Sequence, residues 1–314
     1  MRKFITQHLD SVKGGRSLSA LNRLATLYMF RDEPDRARGL YSKELKLRLP
    51  LGERDPDVLW ATFGLGNCCT YSGRFAEGEP LMQKAFQGLR AVLGDRHPYT
   101  LTSESQLARI HLITVRLSEA EQEASDAYRM RRAVLGPLHG QTLYSQGLLG
   151  LVYLAQGRRA DAEPLLREFQ DHADRLRDRL PPFTIWEIAD VGHALLEQRD
   201  FAKAASFLQL NLDVAAKKQP EGWRRAAARS ALGACSLGQK KYAEAEPMLR
   251  KGYEGLRQFE SGIPASFRRT ELGKALKRLA QLYDEWSRPE EAAKWHRELE
   301  SMNAAKPVTG PNGA

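Results

Sequence analysis

The sequence predicts an all-α chain built as a stack of helical hairpins, an α-solenoid. Three observations predict it. A small residue recurs at Ala37, Gly78, Ala120, Ala162, Ala204, Ala245 and Ala292, in steps of 41, 42, 42, 42, 41 and 47 residues. A second column lies twelve residues earlier, at Ala25, Gly66, Ala108, Gly150, Gly192, Gly233 and Ala280, and holds only Gly or Ala. Each of those is preceded by an aliphatic residue: Leu24, Leu65, Leu107, Leu149, Val191, Leu232 and Leu279. A fixed period of this length marks units that bury an apolar face only against their neighbours.

The two columns define the two helices of each unit. The first helix carries the aliphatic–small pair and, three residues on, a packing position occupied by Tyr28, Cys69, His111, Tyr153, Leu195, Ser236 and Tyr283. Steps of three and four residues share one helix face. The small residue is required because antiparallel helices joined by a short turn approach closely only where one lacks a bulky side chain. The second helix opens near the anchor column. Its Glu79-Pro80, Glu163-Pro164 and Glu246-Pro247 pairs are expected in the first turn, where the missing proline N–H has no intrahelical partner.

The connectors repeat as well. Leu51-Gly52-Glu53-Arg54-Asp55-Pro56 recurs as Leu93-Gly94-Asp95-Arg96-His97-Pro98 and as Leu135-Gly136-Pro137-Leu138-His139-Gly140. The glycine is expected to form a left-handed cap, the proline to stop the helix, and a Thr or Asp to cap the next one. The last step of 47 residues assigns its extra residues to a loop around Glu260–Ser266.

At the ends, Leu9 lies 42 residues before Leu51, so residues 1–17 read as a partial repeat or cap helix. Residues 18–300 read as about seven helix–turn–helix units, and 301–314, rich in Pro and Gly, as a disordered tail. A unit that starts halfway is expected of a fragment of a longer protein, of a mis-assigned start, or of a degenerate cap.

The Leu–Gly/Ala, Tyr and Ala columns resemble the tetratricopeptide repeat (TPR), and the resemblance spans nearly the whole chain. The usual unit is about 34 residues, so this one is longer by about eight, or about 12 Å of helix. The connectors resemble the LG-x-x-HP-x-T-L segments of kinesin-light-chain-like repeats, with Gly140 replacing the proline in the third. The resemblance implies a right-handed α–α superhelix, a TPR solenoid. The last two repeats, with Gln239-Lys240-Lys241-Tyr242-Ala243-Glu244-Ala245-Glu246-Pro247 and Arg288-Pro289-Glu290-Glu291-Ala292-Ala293-Lys294-Trp295, resemble TPR regions appended to bacterial Ser/Thr kinases.

Composition narrows the function. Hydrophobic content of 42% suffices for helix packing, so most of the chain is expected to be ordered. The first residues lack the apolar region of a signal peptide, and no run approaches the roughly 18 apolar residues that span a bilayer. The chain is therefore read as cytoplasmic, with no membrane partner. Net charge is +9, but the basic pairs, such as Arg131-Arg132 and Lys240-Lys241, are scattered among acids. Nucleic-acid binding, which favours a continuous stripe with stacking aromatics, is thus the weakest alternative. Cys68, Cys69 and Cys235 lack the spacing of a disulfide framework or a zinc site. No phosphate loop, nucleophile elbow or histidine pair occurs, so no catalytic residue, metal or cofactor is assigned.

In a TPR stack the first helices line a groove. The positions expected to face it include Phe63, Asn67, Tyr71, Arg109, Leu112, Leu151, His193 and Lys277. Asn67, Arg109 and Lys277 are types with which some TPR domains hold a peptide carboxylate, but here they are dispersed. The reading is a non-enzymatic scaffold holding a peptide or extended protein segment. The alternative is a regulatory or substrate-docking fragment of a bacterial Ser/Thr kinase.

Overall fold

Three helix starts are written into their connectors. Asp55 accepts a hydrogen bond from Asp57 N (2.9 Å), and the imidazole Nδ1 atoms of His97 and His139 accept from Tyr99 N and Gln141 N at 3.2 Å. These three residues, 42 apart, are the N-caps; the Thr100 and Thr142 expected to help cap instead lie inside the helices. The structure, a computed structural model, describes residues 15–31, 33–218 and 221–304. Among these are fourteen α-helices and no strand.

The helices are α1 (Gly15–Phe30), α2 (Pro34–Arg48), α3 (Pro56–Tyr71), α4 (Phe75–Leu93), α5 (Pro98–Ile113), α6 (Leu117–Leu135) and α7 (Gly140–Ala155). They continue with α8 (Arg159–Arg175), α9 (Pro182–Glu197), α10 (Phe201–Lys218), α11 (Trp223–Gly238), α12 (Tyr242–Gln258), α13 (Ala265–Glu285) and α14 (Pro289–Ala304). Odd-numbered helices are the first helices of the pairs and even-numbered ones the second. The chain divides into two compact units, residues 1–187 and 188–314, with the division inside α9. The partial repeat expected over 1–17 lies outside the described residues except for 15–17, which open α1. The tail expected over 301–314 also lies outside them, except for 301–304, which end α14.

Close approach occurs at the small-residue column. A Cβ on Gly150 would stand 2.5 Å from Leu166 Cδ2, and one on Gly192 2.7 Å from Leu208 Cγ. The alanines of both columns are buried to 3% exposure or less. Cys68, Cys69 and Cys235 are buried, unbridged packing residues.

Three local expectations are corrected. Pro80, Pro164 and Pro247 are the sixth residues of α4, α8 and α12, not first-turn residues. Each helix continues past its proline, forgoing one bond to a carbonyl four residues back. Gly94 has φ 84° and ψ 170°, and Gly136 φ 82° and ψ 167°. This is extended backbone at positive φ, a region open essentially to glycine alone, rather than a left-handed helical cap. The extra residues of the last step do not form a loop around 260–266. Residues Glu260–Gly262 make one 3-10 turn, and α13 has 21 residues where α3, α5, α7, α9 and α11 have 16. The five-residue surplus thus lengthens a helix.

Neighbouring pairs are also registered by charge. Arg74, Arg116 and Arg158, at the N-caps of α4, α6 and α8, reach back to Asp35 (3.3 Å), Glu79 and Glu121 (2.7 Å). Being solvent-accessible, such pairs contribute about 0–1 kcal/mol each and act more on register than on stability.

Candidate functional site

In residues 1–187 the face of the first helices is filled by the chain's own side chains. Glu187, on α9, is fully buried and lies over Gly147 of α7, where a Cβ would come within 2.7 Å of Glu187 Cγ. Its Oε2 accepts from Arg109 Nη2 of α5, and its Oε1 has no hydrogen-bond partner. Arg109 Nε donates to Tyr144 Oη (3.0 Å), which also accepts from Gln106 Nε2 (2.9 Å). Beside Glu187, the Trp186 ring packs at 5.4 Å on Tyr71 and at 6.4 Å on Phe30. An ion pair and an aromatic cluster therefore join α1, α3 and α5 to the start of α9.

In residues 188–314 the corresponding face is open. A cavity of about 550 Å³ lies at the turn end of α9, α11 and α13. Positions one and five after the small residue line it in all three pairs: His193, Ala234 and Gln281, then Glu197, Gly238 and Glu285. Leu196, Leu237, Phe201 and Tyr242 form its apolar wall, and Arg199, Lys240, Lys274 and Arg278 bring positive charge. Phe201 reaches the cavity because Gly238 yields room, a Cβ there falling 2.3 Å from Phe201 Cζ. Burial, aided by the nearby Arg278 charge, pushes His193 down to about 4, so its ring is neutral at pH 7. Burial likewise lowers the pKa of Arg278, whose Nη1 donates to Ser230 Oγ (3.2 Å).

The eight expected groove residues thus separate. His193 lines the cavity. Lys277 does not: it is exposed, and Arg278, the next residue, takes the lining position. Phe63 is a core residue, 6% exposed and stacked on Trp60 at 4.5 Å, and Leu151 is equally buried, so neither is a groove wall. Leu112 packs, half-buried, against the α5–α7 core. Tyr71 packs on Trp186, and Arg109 pairs with Glu187. Asn67 is half-buried with an Oδ1 that accepts no hydrogen bond.

Glu187 is not among the expected residues, yet the chain carries a signal for it. Five residues before the small column stand Ala20, Ala61, Ser103, Ser145, Glu187, Ala228 and Ala275. One charged residue among six small ones marks a side chain that must find its own partner.

The repeat has a known counterpart. Residues 65–133 match the tetratricopeptide repeat family model. No curated protein matches the chain significantly. Among solved structures, the Rap protein complexed with Competence and Sporulation Factor is similar at TM-score 0.55 and 12% identity, covering 92% of this chain and 98% of that one. The apo quorum sensor NprR from B. thuringiensis is similar at TM-score 0.54 and 12% identity, covering 96% and 92%. At such identities the likeness is one of fold. This chain has the TPR-like helical solenoid fold. A putative kinesin light chain from Podosopora anserina, with nearly identical TPR-like repeats, shares 17% identity at TM-score 0.43, covering 79% and 98%. These comparisons do not show the resemblance to kinase-appended repeats. No helix of the described residues is long and apolar enough to cross a membrane, and those residues contain no group of side chains placed to hold a metal.

Proposed function

We propose that this chain is a non-catalytic TPR scaffold that holds an extended segment of a protein partner in the cavity between α9, α11 and α13. The observation that carries this reading is the contrast between the two faces. In residues 1–187 the TPR face is occupied by Glu187 and Trp186, whereas in residues 188–314 it is an open cavity of about 550 Å³ with one apolar and one charged wall. A mixed lining of this kind offers anchors for side chains and polar groups for an extended backbone. Rap, of similar fold, has been captured with a factor bound, which is in keeping with the reading.

The test is a binding screen of the purified chain against a degenerate peptide library. Ala234→Trp, which fills the cavity, should abolish capture of the selected peptides, while Asn67→Ala should leave it intact. Selected peptides that bind Ala234→Trp as well as the wild type would remove the cavity from the function.

A further inference from the structure

The charges around the cavity are unequally satisfied. Arg199 and Lys240 follow the C-terminal ends of α9 and α11, where they complement the helix dipoles. Lys274 Nζ lies 3.4 Å from Glu271 Oε1. Glu197 and Glu285 add negative charge, and Glu285 Oε1 accepts from Gln281 Nε2 at 2.8 Å. Arg278 differs from all of these. It sits in the middle of α13, away from either helix end, and its one hydrogen bond goes to a neutral hydroxyl, Ser230 Oγ. No carboxylate of the described residues lies within ion-pair distance of it. A guanidinium presents five N–H donors in a planar fork suited to a bidentate acceptor, so most of its donors remain for a ligand. His193, which also lines the cavity, is neutral at pH 7 and brings no competing positive charge.

We propose that Arg278 is the anion-recognition residue of this cavity, taking the side-chain carboxylate of an Asp or Glu on the docked segment. Of the four lining cations only Lys274 is ion-paired among the described residues. Arg278 is the one held in mid-helix with a single neutral partner, and its planar fork matches one carboxylate. A phosphoryl group, with a charge of about −1.5 to −2, would draw on Arg199 and Lys240 as well. The apolar wall of Leu196, Leu237 and Phe201 then takes the neighbouring residues of the segment. This inference rests on the cavity being the docking site, and the experiment separates the two.

Three degenerate peptide libraries, fixed at their central residue as Glu, Gln or phosphoserine, are titrated against the full chain. The Glu library should bind about tenfold or more tighter than the Gln library, the scale of a charge-assisted hydrogen bond. Arg278→Gln should erase that difference, and Lys277→Gln, altered on the exposed side of α13, should keep it. Should Arg278→Gln fail to fold, Arg278→Lys, which keeps the charge and loses the planar fork, should narrow the difference, and carbodiimide coupling of the wild type to the Glu library should join the peptide carboxylate to Lys274 Nζ, one turn from Arg278 on α13. Equal binding of Glu and Gln libraries, or tighter binding of phosphoserine, would overturn the carboxylate assignment and leave the docking site standing, whereas coupling elsewhere than at the cavity would overturn both. Capture of none of the three libraries would overturn both.

Discussion

Substituting Gly252 by Ala tests whether helix contact, not helix propensity, governs this molecule. Gly252 lies inside α12, and a Cβ there would stand 2.7 Å from Ser230 Cα, Cβ and N on α11. Two of these atoms are backbone, so no rotamer change relieves the contact. The methyl would contribute about 1 kcal/mol through better helix propensity. Forcing it about 1 Å inside normal contact costs about 1–3 kcal/mol, and more when backbone must move. The expected net is a destabilisation of about 1–2 kcal/mol, or a fall in Tm of roughly 2–4 °C. Gly39→Ala is the matched control. Gly39 lies inside α2, and nothing stands within 4 Å of where its Cβ would be, so the same change should stabilise by about 0.5–1 kcal/mol. Thermal unfolding by circular dichroism gives the two signs, and hydrogen exchange of α11 and α12 shows where the loss falls. If Gly252→Ala stabilises as much as Gly39→Ala does, the helices are not held by backbone approach and the packing argument fails.

Arg109→Ala should destabilise by about 3–5 kcal/mol, because it leaves the fully buried Glu187 uncompensated; Arg109→Ala with Glu187→Gln should recover part of that loss in urea unfolding. Burial, with Asp126 and Glu123 nearby, raises Glu104 to about 7, so its folded pKa lies above its unfolded value. The folded state then binds the extra proton between about pH 4.5 and 7, stability falls as pH rises through that window, and Glu104→Gln should flatten the slope and stabilise at pH 8 by on the order of 2 kcal/mol. His97→Ala should cost about 0.5–1 kcal/mol through the lost cap of α5, while His97→Asp, copying Asp55 at the same repeat position, should retain it; thermal melts compare the three.

Much of the architecture is legible in the chain because repetition multiplies weak local signals. One aliphatic–small pair means little, but seven at intervals of 41 to 47 residues locate every first helix, and the structure places helices at all of them. The mismatches arise where an inference depends on helix phase. The glutamate–proline pairs have the residue types of a helix start, though each helix begins four residues before the glutamate. Lys277 and Arg278 are adjacent in sequence yet about 100° apart around α13, which separates solvent from cavity.

By itself, then, the amino-acid order determined the helical hairpin, its period and the small residues at its contacts, since all of these depend on neighbours within about forty positions. Only tertiary structure decided which TPR face is filled and which is open. Arg109 and Glu187 are 78 residues apart, and nothing local to either announces the other. Whether a groove wall meets solvent or a buried carboxylate depends on how several repeats stack, and that is a property of the assembled units rather than of any one of them.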